Sequence, residues 1–273
     1  MVVYPSSTFD IYKNLIYQIY TKLESSIVHD YFEHYKTEFP IIIGGIGGSG
    51  TRLVVKLLRE IGVQMGRLIN TAEDAQSFVC LYDKYIPIYL NNQEIDLNLF
   101  EQDLLKAIQL HRQDMRPGIW GWKNPRSIYL LPLFDELIMN MRFIHVVRNG
   151  LDMVCSSNQL QLKNYGESIL GQETNSLKRE IRSLLLWQAV NNAATDYGIR
   201  MKHRYFLLRY EDICSDPKRA LWPIVDALNL AFPEKWQQTV NPPSSRWHSL
   251  DKELINTLIN VGGGALQRFG YIC

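Results

Sequence analysis

Between Pro40 and Gly62 the sequence passes from three consecutive isoleucines through the turn GGIGGSGTR into apolar residues at helical spacing: Leu53, Val54, Leu57, Leu58 and Ile61. The β-branched run reads as a buried strand and the periodic series as an amphipathic helix. A strand that empties through glycines into a helix start leaves several backbone N–H groups aimed at one spot, and such a spot suits a phosphate. Two further apolar runs, RFIHVVR (142–148) and RYFLLRY (204–210), are each followed by helical sequence. Strands alternating with helices predict an α/β fold with a central, largely parallel sheet.

The rest of the chain sets the frame for that unit. Its 273 residues are 46% hydrophobic, enough for an ordinary core, and no repeat, low-complexity tract or linker divides them. A single domain over 1–273 is expected, with an N-terminal amphipathic segment (1–39) ahead of the α/β core (40–273). In that segment Tyr12, Leu15, Ile16, Ile19, Leu23, Ile27 and Tyr31 recur at helical spacing, a stripe suited to covering the sheet, with a partner interface as the other reading. Leu184 to Ala194 carries Trp187 and Val190 on a helical face that reads as core. The tail from Lys252 to Leu266 reads as a helix weakened by glycines at 262–264.

Lysine and arginine number 29 against 28 aspartates and glutamates, a net charge of +1, so nothing global favours nucleic acid or an anionic membrane. Cys80, Cys155, Cys214 and Cys273 are scattered and lack metal-ligand or disulfide-framework spacing. No metal is expected. The N-terminus lacks a basic leader and no apolar run reaches about 18 residues, so a cytoplasmic protein without a membrane span is expected.

Three uses of a glycine turn can be told apart by residue. Gly45, Gly47 and Gly50 fit the GxGxxG dinucleotide pattern, but the acid wanted about 20 positions on does not end a convincing strand. Gly45, Gly50 and Thr51 nearly fit the phosphate loop of nucleoside triphosphatases, yet the lysine between Gly50 and Thr51 is absent, which disfavours a kinase. GGSGTRLVVKLL resembles the sulfotransferase loop, whose Ser-Gly-Thr at the helix start holds the 5′-phosphate end of 3′-phosphoadenosine 5′-phosphosulfate (PAPS). A ligand-free glycine turn is the plain structural reading.

RFIHVVRNGLDMVCSS decides among them. It places Arg148 at a strand's carboxyl end and Ser156 eight positions later, on a helical reading two turns into the next helix on the face of Asp152. Guanidinium and hydroxyl there can converge on one phosphate. Sulfotransferases carry this pair at the same spacing as their 3′-phosphate site, and the chain resembles that family, closest in pattern to bacterial and protein-tyrosine-type members. RYEDI (209–213) resembles the family stretch whose tyrosine, here Tyr210, lies near the nucleotide. GWKNPRSIYLLPLFDEL resembles its lysine-x-proline segment, and PSSRWHSL, with Arg246, and LQRFGYIC resemble its lid and last helix.

The resemblance implies a P-loop-like three-layer fold and metal-free sulfuryl transfer from PAPS to a hydroxyl acceptor of a small molecule, sugar, lipid or peptide. It assigns Gly47, Gly48, Ser49, Gly50, Thr51 and Arg52 to the 5′-phosphate and Arg148 with Ser156 to the 3′-phosphate. Gly48 departs from relatives that place a lysine there; Lys123 is the favoured substitute at the transferring group, with Arg52 on cofactor phosphate. The acceptor base falls in NTAEDAQSF (70–78), with Asp74 first and Glu73 second, and an acidic helix start as the plain alternative. The acceptor pocket is expected from 86–117 and 159–175. A nucleotide-binding protein without transfer activity is the rival from another class.

Overall fold

The computed structural model describes residues 30, 31, 39–236, 240 and 245–271. The N-terminal helix expected ahead of the core lies, except for Asp30, Tyr31 and Phe39, outside the described residues.

Four strands form one sheet in the order β2-β1-β3-β4: β1 (Ile41–Gly45), β2 (Gly121–Lys123), β3 (Arg142–Val147) and β4 (Tyr205–Arg209). All pairings are parallel, with Ile41 facing both Gly121 and Arg142, and Phe143 facing Tyr205. The short β2, which lacks any periodic signal of its own, was not evident in the sequence. It is a strand because Ile41, Ile42 and Ile43 pair with it residue by residue.

Side chains alternate across β1, so the sheet has two buried faces. Ile42 joins one core with Phe143 and residues of α2 (Val79–Leu90), α3 (Leu97–Arg112), α4 (Leu131–Leu137), α7 (Arg179–Gly198) and α10 (Lys252–Arg268). Ile41 and Ile43 join a second core with α1 (Thr51–Glu60) and α9 (Pro217–Ala227). This is the expected three-layer arrangement. Three shorter helices, α5 (Gly150–Val154), α6 (Leu160–Leu170) and α8 (Tyr210–Ser215), follow β3 and β4. Among the described residues no helix is long and apolar enough to cross a membrane.

Trp187 and Val190 are buried as expected. The tail departs from expectation, because α10 runs through its three glycines to Arg268. A Cβ at Gly262 would stand 2.5 Å from Leu184 Cδ2, so the missing side chain lets α10 approach α7, and the packing gained outweighs the lower helix propensity.

Two buried histidines have hydrogen-bond partners on both ring nitrogens. His145 on β3 is fully buried, with Nδ1 2.7 Å from the Tyr205 hydroxyl and Nε2 2.8 Å from Asn191 Oδ1. An amide oxygen only accepts, so Nε2 carries the proton, Nδ1 accepts from Tyr205, and the ring is neutral. Burial pushes its pKa down to about 4. His111 on α3 is likewise pushed down to about 4 by burial, between Ser77 and the Gly121 carbonyl. Both folded-state values lie below the unfolded value of about 6.5. The stabilisation from neutral imidazole is therefore complete above pH 6.5 and lost as pH falls toward 4, on the order of a few kcal/mol per ring. Urea unfolding at pH 7.5 and pH 4.5 should show this loss, and His145→Gln should show less of it; equal losses in the two proteins would contradict the assignment.

Candidate active site

The sheet order reverses at β1, whose neighbours β2 and β3 lie on opposite sides. A crevice at the carboxyl ends of the strands is expected at such a reversal. Residues after all four strands converge there.

After β1 the chain turns through 46–50, with Gly48 at φ +98° and Gly50 at φ +99°. The turn closes by Ser49 N–H donating to the Ile46 carbonyl (2.9 Å) and Leu53 N–H to the Gly50 carbonyl (2.9 Å). The N–H groups of Gly48, Gly50, Thr51 and Arg52 have no protein acceptor among the described residues. They lie at the amino end of α1, the positive end of its dipole. The Ser49 hydroxyl is buried and also lacks a partner among the described residues. An unsatisfied buried hydroxyl beside open amides fits an anion. Gly47 is different: its N–H donates to Gln161 Oε1 at 3.2 Å, which the sequence did not reveal.

After β3, Arg148 is buried with its guanidinium 4.7 Å from the centre of the Tyr210 ring and Nη2 3.8 Å from Asp152 Oδ2. Its carbonyl accepts from Trp187 Nε1 at 2.9 Å. Helix α5 ends at Val154, so Ser156 stands just beyond the helix rather than two turns into it. That exit carries Ser156 to the turn: its Oγ is 3.3 Å from where a Gly48 Cβ would be. Arg246 belongs to a short turn of helix anchored by Trp247 N–H on Asp152 Oδ1 (3.3 Å). Its charge reaches Cys155, beside Ser156.

After β4, Tyr210 opens α8 and packs against the turn. A Cβ at Gly50 would be 2.2 Å from Tyr210 Cδ2. Glu211 then ties this strand end to β3 by accepting from Asn149 N–H at 2.9 Å, while Tyr271 OH donates to its other oxygen at 2.9 Å.

After β2, Lys123 is 3% exposed and donates to Asp74 Oδ1 (2.5 Å) and to the Ala72 carbonyl (2.7 Å). Burial lowers the lysine's pKa, and Asp74 opposes that fall. Asn70 builds the loop that delivers Asp74. Its Oδ1 accepts from the N–H groups of Ala72 and Asp74, both at 2.9 Å, and its Nδ2 donates to Asp74 Oδ2 at 3.2 Å. An asparagine can fold a loop this way, and NTAED carried that signal. Glu73, at φ +66°, turns away and pairs with Arg59. Of the two carboxylates, the structure brings Asp74 to Lys123 and gives Glu73 to α1. Arg52 is exposed and donates to the Thr71 carbonyl at 3.4 Å, so its guanidinium lies on the Asp74 loop.

Segment 86–117 places Phe100, Leu104 and Ile108 in the core. Its end joins 59–68 around a cleft of about 730 Å³, with Arg59, Met65, Leu68, Leu110 and Arg116 in its walls.

Gly50→Ala should destabilise the protein by about 2 kcal/mol or more, combining left-handed strain with a clash. In Gly50→Ala/Tyr210→Ala the clash is gone and only the strain remains, so the double variant should lose less than the sum of the single losses. Strict additivity in denaturant titrations would show that the ring and the turn do not touch.

Comparison with known proteins agrees with this geometry. No curated protein sequence gives a significant match. Among solved structures, sulfotransferase STF9 from Mycobacterium avium superposes with a TM-score of 0.54 at 13% identity, covering 90% of this chain and 82% of that one. STF1 from Mycobacterium tuberculosis H37Rv gives 0.55 at 13% identity over 86% and 80%. A sulfotransferase from Alicyclobacillus acidocaldarius gives 0.53 at 13% identity over 85% and 94%. These likenesses establish the P-loop-like fold. The sequence itself matches the profile of the Sulfotransferase family over residues 40–234, and the chain belongs to that family.

Proposed function

We propose that this sulfotransferase takes its sulfuryl group from PAPS and delivers it to a hydroxyl acceptor, with Asp74 as base. The observation that carries this reading is the order of groups along the strand ends. Lys123 with Asp74 follows β2, the glycine turn follows β1, Arg148 with Ser156 follows β3, and Tyr210 follows β4. Neighbouring strands are about 4.8 Å apart, so the line from Lys123 to Arg148 spans about 10 Å, the scale of a nucleotide bearing phosphates at both ends.

The residues fit that donor. The amides of Gly48, Gly50, Thr51 and Arg52 and the Ser49 hydroxyl would hold its 5′-phosphate, the turn at Gly47 shaping the cradle. Arg148 and Ser156 would hold its 3′-phosphate, Arg246 adding charge from outside and Tyr210 supporting Arg148 from below. Bound PAPS supplies an activated sulfuryl group on a phosphate leaving group.

The chain's own groups then divide the work. The Asp74 carboxylate accepts the proton of the acceptor hydroxyl as the oxygen turns nucleophilic. Lys123, already desolvated, presents its ammonium where charge develops, and needs little reorganisation. Arg52, on the same loop, adds a second cation. Gly48 disfavours one in the turn: its φ is positive, and Ser156 Oγ stands 3.3 Å from its missing Cβ. Lys123 therefore takes the part that a lysine at this position plays in relatives.

Thermal stabilisation by 3′-phosphoadenosine 5′-phosphate, beside ATP-magnesium and NAD, tests the donor. At about 100 times its Kd the bisphosphate should add about 2.7 kcal/mol, and Arg148→Ala should abolish the gain. A response to ATP or NAD alone would sink the reading in favour of a kinase or a dinucleotide enzyme. Asp74→Asn and Lys123→Met should keep bisphosphate binding while lowering transfer from PAPS by 10²- to 10⁴-fold. Wild type that binds the bisphosphate yet transfers to no acceptor would instead mark a binding protein.

A further inference from the structure

The geometry points to Gln161 as a positioning residue for the glycine turn, one that fixes which amides face the donor phosphate; this rests on the donor assignment just proposed. Gln161 is the second residue of α6 and is 9% exposed. Its Oε1 accepts from Gly47 N–H (3.2 Å) and from the Tyr129 hydroxyl (3.3 Å), and its Nε2 donates to the Gly45 carbonyl at 3.5 Å. One carboxamide thus spans the junction of β1 and the turn, touching it from a helix 116 positions away. Asn158 braces the same place, since a Gly47 Cβ would meet its Nδ2 at 3.1 Å.

This arrangement makes two chemical demands. The group must accept from an N–H and donate to a carbonyl at once, which a carboxamide does and neither a carboxylate nor an alkyl group can. It must also be neutral, because it borders the amides assigned to an anion. Holding the Gly47 N–H back leaves those of Gly48, Gly50, Thr51 and Arg52 to define the cradle. The fixed loop is then preorganised, so less conformational freedom is lost on binding.

The same residue links the turn to the far wall of the crevice. Tyr129 meets the ring of Tyr165 on α6 edge-on at 4.9 Å. Arg126, in the same short helix as Tyr129, pairs with Asp83 on α2. Gln161 thus joins the donor turn to Tyr129 and, through it, to the α6 ring of Tyr165.

Calorimetric titration with 3′-phosphoadenosine 5′-phosphate tests this without any acceptor. Gln161→Leu should raise Kd at least tenfold while circular dichroism shows the fold retained. Gln161→Glu gives a readout that a merely structural role would not move. Its carboxylate still accepts from Gly47 but repels the ligand once ionised, so the ratio of variant to wild-type Kd should climb from a few-fold at pH 5 to more than tenfold at pH 8. A ratio flat with pH, or both variants within twofold of wild type, overturns the assignment. Wild type that does not bind the bisphosphate overturns the donor reading itself, an outcome recognisable before any variant is made.

Discussion

The contact between Gly50 and the ring of Tyr210 is the constraint on which the site depends. With 2.2 Å between the ring and any Cβ at position 50, the turn after β1 and the helix start after β4 can meet only through a glycine. The Arg148 guanidinium lies over the same ring, 4.7 Å from its centre. One aromatic therefore sets the spacing between the open amides and the guanidinium across three strands. Cation–π contacts contribute about 0.5–2 kcal/mol, but here the larger consequence is geometric. Arg148 is also held by its carbonyl on Trp187 and by Asp152, and Glu211 locks the two strand ends together, so neither wall of the crevice can drift.

The Lys123–Asp74 pair works by a different logic. A buried ion pair is weak evidence for stability, because desolvation offsets much of the attraction. What it supplies here is a counter-charge to a lysine whose pKa burial lowers, since Asp74 opposes that fall. Asn70 does the matching work for the acid by shaping the loop with three hydrogen bonds. Carboxylate and ammonium are thus held in a fixed orientation, with the lysine desolvated.

Much of this was legible in the sequence, and what escaped did so for physical reasons. The isoleucine run, the glycines and the Arg148–Ser156 spacing announce themselves because strand, turn and helix each impose a local pattern. β2 did not, as three residues are too few for periodicity and GWK is a strand only by pairing with Ile41–Ile43. Glu73 and Asp74 could not be separated by composition; backbone at φ +66° sends the first to Arg59. Gln161 was invisible because a glutamine in a helix is ordinarily surface, and only the tertiary fold brings it to Gly47. The glycines at 262–264 misled, for helix propensity is a local term and the close packing of α10 on α7 is not.

Gly48 shows how a departure from the family pattern can be compatible with the same chemistry. At φ +98°, with Met153 and Ser156 against the missing Cβ, a lysine there would be strained before it reached any oxygen. The positive potential is instead distributed over the amino end of α1, Arg52 beside the Asp74 loop, Lys123 at the end of β2 and Arg148 at the end of β3. Of these, Lys123 is paired with Asp74 and Arg148 stands 3.8 Å from Asp152. On the proposed reading Lys123 acts where charge changes during transfer. A cation in the turn would attract the donor and assist the reaction with one group; on the proposed reading the two tasks fall to different strands, so that substitutions can weaken either without the other.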